Sequence, residues 1–115
     1  MSELIQITDD NYEKEIYRSN DIWCVTFSAL SFCPPCKMLH PVIEHIAKNN
    51  KVPGVKFGVV ATEDKGLNFS TIMGIRGVPC SHIMLGKKIL GTKVGFVEEA
   101  KFIEFVKTTV SENKN

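Results

Sequence analysis

The sequence lacks a surplus of either charge. Lys and Arg number 14 against 13 Asp and Glu in 115 residues, so no basic stripe or acidic tail points to nucleic acid or a membrane surface. It also lacks any apolar stretch approaching the roughly 20 residues that a bilayer-spanning helix needs. The opening Met1-Ser2-Glu3-Leu4 has neither the basic nor the long apolar region of a secretion signal. The ending Glu112-Asn113-Lys114-Asn115 is not an endoplasmic-reticulum retention tetrapeptide. Repeats and low-complexity tracts are missing, and one domain over residues 1–115 with a single core is expected. The four cysteines are too unevenly placed for a disulfide scaffold, since Cys24 lies inside an apolar run and Cys80 stands alone.

What is present is a pair of thiols in a particular setting. Phe32-Cys33-Pro34-Pro35-Cys36-Lys37 follows an apolar, β-prone run, Ile22-Trp23-Cys24-Val25-Thr26-Phe27. It precedes residues with helical spacing: Met38, Leu39, Val42, Ile43 and Ile46. A Cys-x-x-Cys between a strand and a helix reads as a redox motif. Unpaired N–H groups and the macrodipole at a helix N-terminus favour an anion, and so a thiolate at Cys33. The thiolate is the species that attacks a disulfide, and Cys36 is near enough to displace the mixed disulfide that results. The competing reading makes the two either half of a metal site or inert core thiols.

Along the chain, Leu4-Ile5-Gln6-Ile7 predicts a first strand, and Thr8-Asp9-Asp10 the N-cap of a helix ending near Tyr17. Ile22 to Ser28 predicts a strand buried on both faces. The helix after Cys33 should end near Asn49 and kink at Pro41, whose ring removes one backbone bond. Val55 to Val60 predicts another buried strand, and Thr62-Glu63-Asp64 opens a short helix ended by Gly74. Cys80 to Leu85 and Ile89 to Val94 read as a hairpin turning at Gly86-Lys87-Lys88. Phe102, Ile103, Phe105, Val106 and Val110 fall on one side of a last helix that begins at Glu98-Glu99. The order β-α-β-α-β-α-β-β-α implies an α/β fold, a central mixed sheet with helices on both faces, because parallel strands need helical crossovers.

That order, with Cys-x-x-Cys at the second helix and a proline before the fourth strand, resembles the thioredoxin superfamily over nearly the whole chain. Phe32 to Lys37 with Pro41 looks like the family's redox helix. Gly74-Ile75-Arg76-Gly77-Val78-Pro79 looks like the segment leading to its cis-proline. Lys56-Phe57-Gly58-Val59-Val60 and the stretch from Leu4 to Tyr12 resemble the thioredoxin-type domains of protein disulfide isomerases. The resemblance implies a thioredoxin fold and a thiol–disulfide oxidoreductase, with Cys33 attacking and Cys36 resolving. It implies no cofactor beyond the Cys33–Cys36 disulfide itself, and protein or peptide thiols and disulfides as partners. Phe32, Pro34, Pro35, Val78 and Pro79 would meet the substrate, Pro79 in a cis bond across the groove from Cys33. Val78 would offer its backbone to an extended peptide. A monomeric domain is expected, free or within a larger multidomain protein. It would lie in the endoplasmic reticulum lumen where a signal peptide precedes this stretch, and in the cytoplasm where none does.

The chain also departs from the family's pattern. Phe32 stands where Trp is usual, which keeps an apolar platform and loses the indole donor. The link Phe27-Ser28-Ala29-Leu30-Ser31-Phe32 is one residue longer than usual and predicts a bulged turn. Allowing for it, Thr26 occupies the place of the family's buried Asp or Glu, which ferries a proton for the second cysteine. Threonine is no base near neutral pH, so resolution should slow by roughly 10²–10⁴ unless another group takes the proton. Phe96 follows Gly95 where isomerases use Arg. Pro34-Pro35 lacks the His that stabilises the thiolate in oxidising members, so the disulfide should be harder to reduce. Cys-Pro-Pro-Cys itself resembles tryparedoxins and nucleoredoxins.

Other residues carry competing readings. Cys80, next to Pro79, is a candidate regulatory thiol or else a small strand residue. Cys24 reads as core, and His82 shares a strand face with Cys80. Cys36 and His40 have ligand-like i, i+4 spacing. A structural zinc site wants four ligands, however, and without a second pair no metal is expected. Asn68-Phe69-Ser70 is a glycosylation sequon inside a predicted helix. Against the enzyme stands a second class, a thioredoxin-fold client-binding or chaperone module. It would keep the groove at Val78-Pro79 while Thr26 weakens turnover.

Overall fold

Trp23 to Ser28 are all buried, and this run makes the strand around which the molecule is built. In the computed structural model, which describes residues 3–113, five strands form one sheet. They are β1 (Leu4–Ile7), β2 (Ile22–Ser28), β3 (Val55–Ala61), β4 (Cys80–Leu85) and β5 (Lys88–Val94). The spatial order is β1-β3-β2-β4-β5, with β1, β3 and β2 parallel and the β2–β4 and β4–β5 pairs antiparallel. A π-helical segment (Glu13–Tyr17), α1 (Pro34–Lys48), α2 (Leu67–Ile72) and α3 (Glu99–Glu112) connect and cover them. Among the described residues no helix is long and apolar enough to cross a membrane.

Side chains alternate across a strand, so β2 feeds two cores. Cys24 joins Phe57 and Ile83 against Leu39, Ile43 and Ile46 of α1 and Phe102 and Val106 of α3. Trp23, Val25 and Phe27 join Ile7, Val60 and Met84 against Ile16 and Phe69 on the other face. Gly58 lets β1 and β2 close over β3, since a Cβ there would stand 2.7 Å from Cγ1 of Ile7. The hairpin turns on Gly86, whose φ of +60° suits the first position of a two-residue loop. Lys88 already belongs to β5, one residue earlier than the sequence reading placed it.

Two helices begin differently from expectation. The first is a single π-helical turn whose flanking Tyr12 makes no side-chain cap bond; Thr8 instead caps the turn that leads into it, its carbonyl accepting the Tyr12 N–H at 3.1 Å. Thr8 Oγ1 accepts the Asp10 N–H at 3.2 Å, and Asn11 Oδ1 accepts the Thr8 N–H at 2.8 Å. Asp9 reaches across to α2, where its carboxylate accepts the N–H groups of Asn68 and Phe69 at 3.2 and 2.8 Å. Residues 62–66 are turns rather than helix. α2 starts after Gly66, which has no side chain to satisfy the first-turn donors, and Asp9 does so instead.

Candidate active site

β2 ends at Ser28, and Ala29 turns the chain. Its carbonyl accepts the N–H groups of both Phe32 and Cys33, at 3.2 and 3.0 Å, so the longer link is absorbed in a closed turn. Ser31 lies on the outside of this turn, its hydroxyl donating to Glu63 Oε2 at 2.6 Å and its N–H to the same oxygen at 3.4 Å. The Ser31 hydroxyl holds the exposed Glu63 carboxyl below its ordinary range. Phe32 is carried outward and is 69% exposed.

Cys33 caps α1. Its sulfur takes the place usually filled by a Ser or Asp oxygen, accepting the Cys36 N–H at 3.3 Å. Pro34 and Pro35, both exposed, fill the first helical positions, where an N–H would have no helical partner. Further along, Pro41 sits inside α1 and leaves the Lys37 carbonyl without its ordinary donor. Cys33 and Cys36 are joined in a disulfide, their Cα atoms 5.2 Å apart. Burial separates the two sulfurs. Cys33 keeps 8% of its surface and Cys36 only 1%, with the Ala29 N–H on Cys36 Sγ at 3.4 Å.

Facing them, the Val78-Pro79 bond is cis. Cys33 Sγ lies 3.7 Å from the Val78 carbonyl oxygen, and Pro79 is held from behind by the Gly95 N–H, 2.8 Å from its own carbonyl. Ala29 and Val78 pack against the sulfurs. Cys33, Cys36, Val78 and Pro79 thus meet in one place, with Phe32, Pro34 and Pro35 exposed in the same turn.

On the sheet face under α1, Thr26 is 2% exposed and shares a 2.8 Å hydrogen bond with the Ser81 hydroxyl. Neither hydroxyl is a base near neutral pH. Ser81 is a residue that sequence reasoning misses; a small polar side chain in an apolar strand is its one signal. Cys24, below Thr26, is core, and burial pushes its thiol up against the opposing pull of the Thr26 hydroxyl. Cys80 is not brought to the redox pair. Alternation puts it on the face of His82 and Met84, away from Ser81, where it is 6% exposed and burial pushes its thiol up. Those surroundings are those of a small strand residue. His82 lies 5.4 Å from the Phe27 ring, with Nδ1 unpartnered. Among the described residues no three His, Cys, Asp or Glu side chains gather into a metal-holding group.

The family model described as Thioredoxin matches residues 3–108. The chain belongs to the thioredoxin family. Its chemistry is thiol–disulfide exchange of the thioredoxin type, and the sheet order and helices described above are the thioredoxin fold. It is 34% identical over 108 residues to a thioredoxin of Buchnera aphidicola subsp. Schizaphis graminum, covering 92% of this chain and 95% of that one. It is 31% identical over 103 residues to the thioredoxin of Allochromatium vinosum, covering 90% and 94%. The crystal structure of Malassezia sympodialis thioredoxin (Mala s 13) superposes with a TM-score of 0.80 at 23% identity, over 95% of this chain and 92% of that one. That last likeness is one of fold.

Proposed function

We propose that this chain exchanges disulfides with protein or peptide substrates, Cys33 attacking and Cys36 resolving. One observation carries the reading: the more exposed sulfur caps α1, with the Cys36 N–H on it, 3.7 Å from the carbonyl of Val78. An extended substrate laid along Val78 would present its own disulfide to Cys33. Backbone pairing is indifferent to side chains, so many sequences qualify, and Phe32, Pro34 and Pro35 supply an apolar rim.

In the reducing direction the Cys33 thiolate attacks one sulfur of the substrate disulfide, and the other leaves as a thiolate. Cys36, once deprotonated, attacks Cys33 and releases the second substrate sulfur. The substrate gains two electrons, and Cys33–Cys36 is the disulfide that forms. With prolines at both intervening positions, no imidazole stands between the cysteines and the Cys36 N–H is the backbone donor on Cys33 Sγ. A less stabilised thiolate favours the disulfide. The poise is therefore on the reducing side of Cys-x-His-Cys isomerases, whatever isomerase likeness Lys56 to Val60 carries.

Insulin reduction and refolding of a scrambled substrate, each with Cys33→Ser as control, test the assignment. Turnover that disappears in Cys33→Ser is the expected result. Client protection equal in wild type and Cys33→Ser, with turnover in neither, would replace the enzyme by the binding module. Refolding that outpaces insulin reduction would mark the isomerase type.

A further inference from the structure

We propose that His40 takes the proton of Cys36 during resolution, through water in a small cavity behind the redox turn. The role rests on the exchange reaction proposed above and answers a gap in it: the layer beneath Cys36 offers the Thr26 and Ser81 hydroxyls and no carboxylate.

Cys36 and His40 stand at i and i+4 on α1, which places their Cβ atoms on one helix face about 5–6 Å apart. His40 is half-buried and lines a cavity of about 100 Å³ with Gln6, Ser28, Leu30 and Glu63. Ser28 and Leu30 flank Ala29, whose N–H rests on Cys36 Sγ at 3.4 Å. The residue whose N–H rests on the buried sulfur thus has both its chain neighbours in the cavity wall, and the imidazole is part of that wall. Ser28 shares the face of Thr26 on β2, towards α1, and is itself 3% exposed. A cavity of that size admits water, which needs about two to four polar partners. Ser28, Gln6, His40 and Glu63 can supply them.

The charges around the imidazole are few. Glu63 faces it across the cavity, already engaged by the Ser31 hydroxyl at 2.6 Å. β1 and β3 contribute Gln6, Val59, Val60 and Ala61, none of which titrates. On α1 itself Lys37 and Glu44 neighbour His40 and are exposed.

The step balances as follows. Cys33 holds the substrate as a mixed disulfide, and the Cys36 thiol passes its proton through a cavity water to His40. Cys36 Sγ bonds to Cys33 Sγ, the bond from Cys33 to the substrate breaks, and the substrate sulfur leaves with the electron pair as a thiolate. The imidazolium then returns its proton to solvent.

Rapid-mixing single-turnover kinetics separate formation of the mixed disulfide from its resolution. In His40→Gln, formation should stay within about twofold of wild type while resolution falls roughly 10²-fold near pH 7. The gap should close at high pH, where hydroxide removes the thiol proton directly. In His40→Ala, added imidazole should restore resolution. Resolution within about twofold of wild type in His40→Gln would overturn the role. So would an equal loss in both steps without imidazole rescue, the mark of a merely structural residue. A wild type that forms no mixed disulfide at Cys33 would overturn the exchange reaction itself, and this role with it.

Discussion

The hydroxyls of Thr26 and Ser81 lie 2.8 Å apart and join β2 to β4 on the face that α1 covers. Ser81 is 1% exposed, so it has no water to turn to if its partner is removed. Thr26→Val keeps the shape of the side chain and orphans that hydroxyl, at an expected cost of about 1–3 kcal/mol. Urea unfolding measures it, and adding Ser81→Ala should recover part of the loss. Strictly additive losses in the double variant would show that the two hydroxyls are not coupled.

The unequal burial of the sulfurs makes a second prediction. Cys36→Ser removes the resolving thiol, so a substrate adduct on Cys33 should accumulate and be visible after thiol blocking on a non-reducing gel. Cys33→Ser should accumulate none, because Cys36 is 1% exposed. An adduct on Cys36 in that variant would contradict the order of attack.

Burial lowers the pKa of His82 below its ordinary 6.5. The unfolded chain then holds the proton more readily than the folded one, so this residue's effect is to reduce stability as pH falls through about 6.5 and below. Chemical unfolding at about pH 7.5 and 5.5 should show the lower value in acid. His82→Gln should shrink that difference. An unchanged difference in the variant would assign the acid sensitivity to other groups.

Asp9 caps a helix to which it does not belong. Asp9→Ala should cost about 1 kcal/mol, with Asp9→Asn costing less. Amide exchange should accelerate first at Asn68 and Phe69, whose N–H groups the carboxylate accepts. Uniform acceleration throughout α2 and β1 would indicate a global effect and not a lost cap.

Strand and helix order is legible in the sequence because hydrophobic period and turn residues are local signals. So is the redox pair, since its setting between β2 and α1 is written within a few residues of Cys33. What sequence does not carry is the tertiary register. Nothing near Asp9 says that its carboxylate will serve α2; of the candidates Thr8-Asp9-Asp10, Thr8 caps its own turn and Asp9 caps a distant helix. Ser81 meets Thr26 only through antiparallel pairing of β4 with β2. The face on which Cys80 falls depends on that same pairing, and proximity to Pro79 in sequence does not bring its thiol to Cys33. The clamp of Glu63 on Ser31 joins two loops with no shared pattern at all.

Trp23 is the chain's one tryptophan. It is 1% exposed, in the cluster with Ile7, Val25 and Phe27 on the sheet face away from α1. An indole in hydrocarbon emits at shorter wavelength than one in water, whereas quenching by a disulfide requires contact. Trp23 should therefore serve as a built-in fluorophore that follows unfolding and responds little to the state of Cys33 and Cys36. Denaturant titrations of the oxidised and reduced forms should then start from the same folded-state emission, and a difference between those starting values would show that Trp23 senses the redox pair.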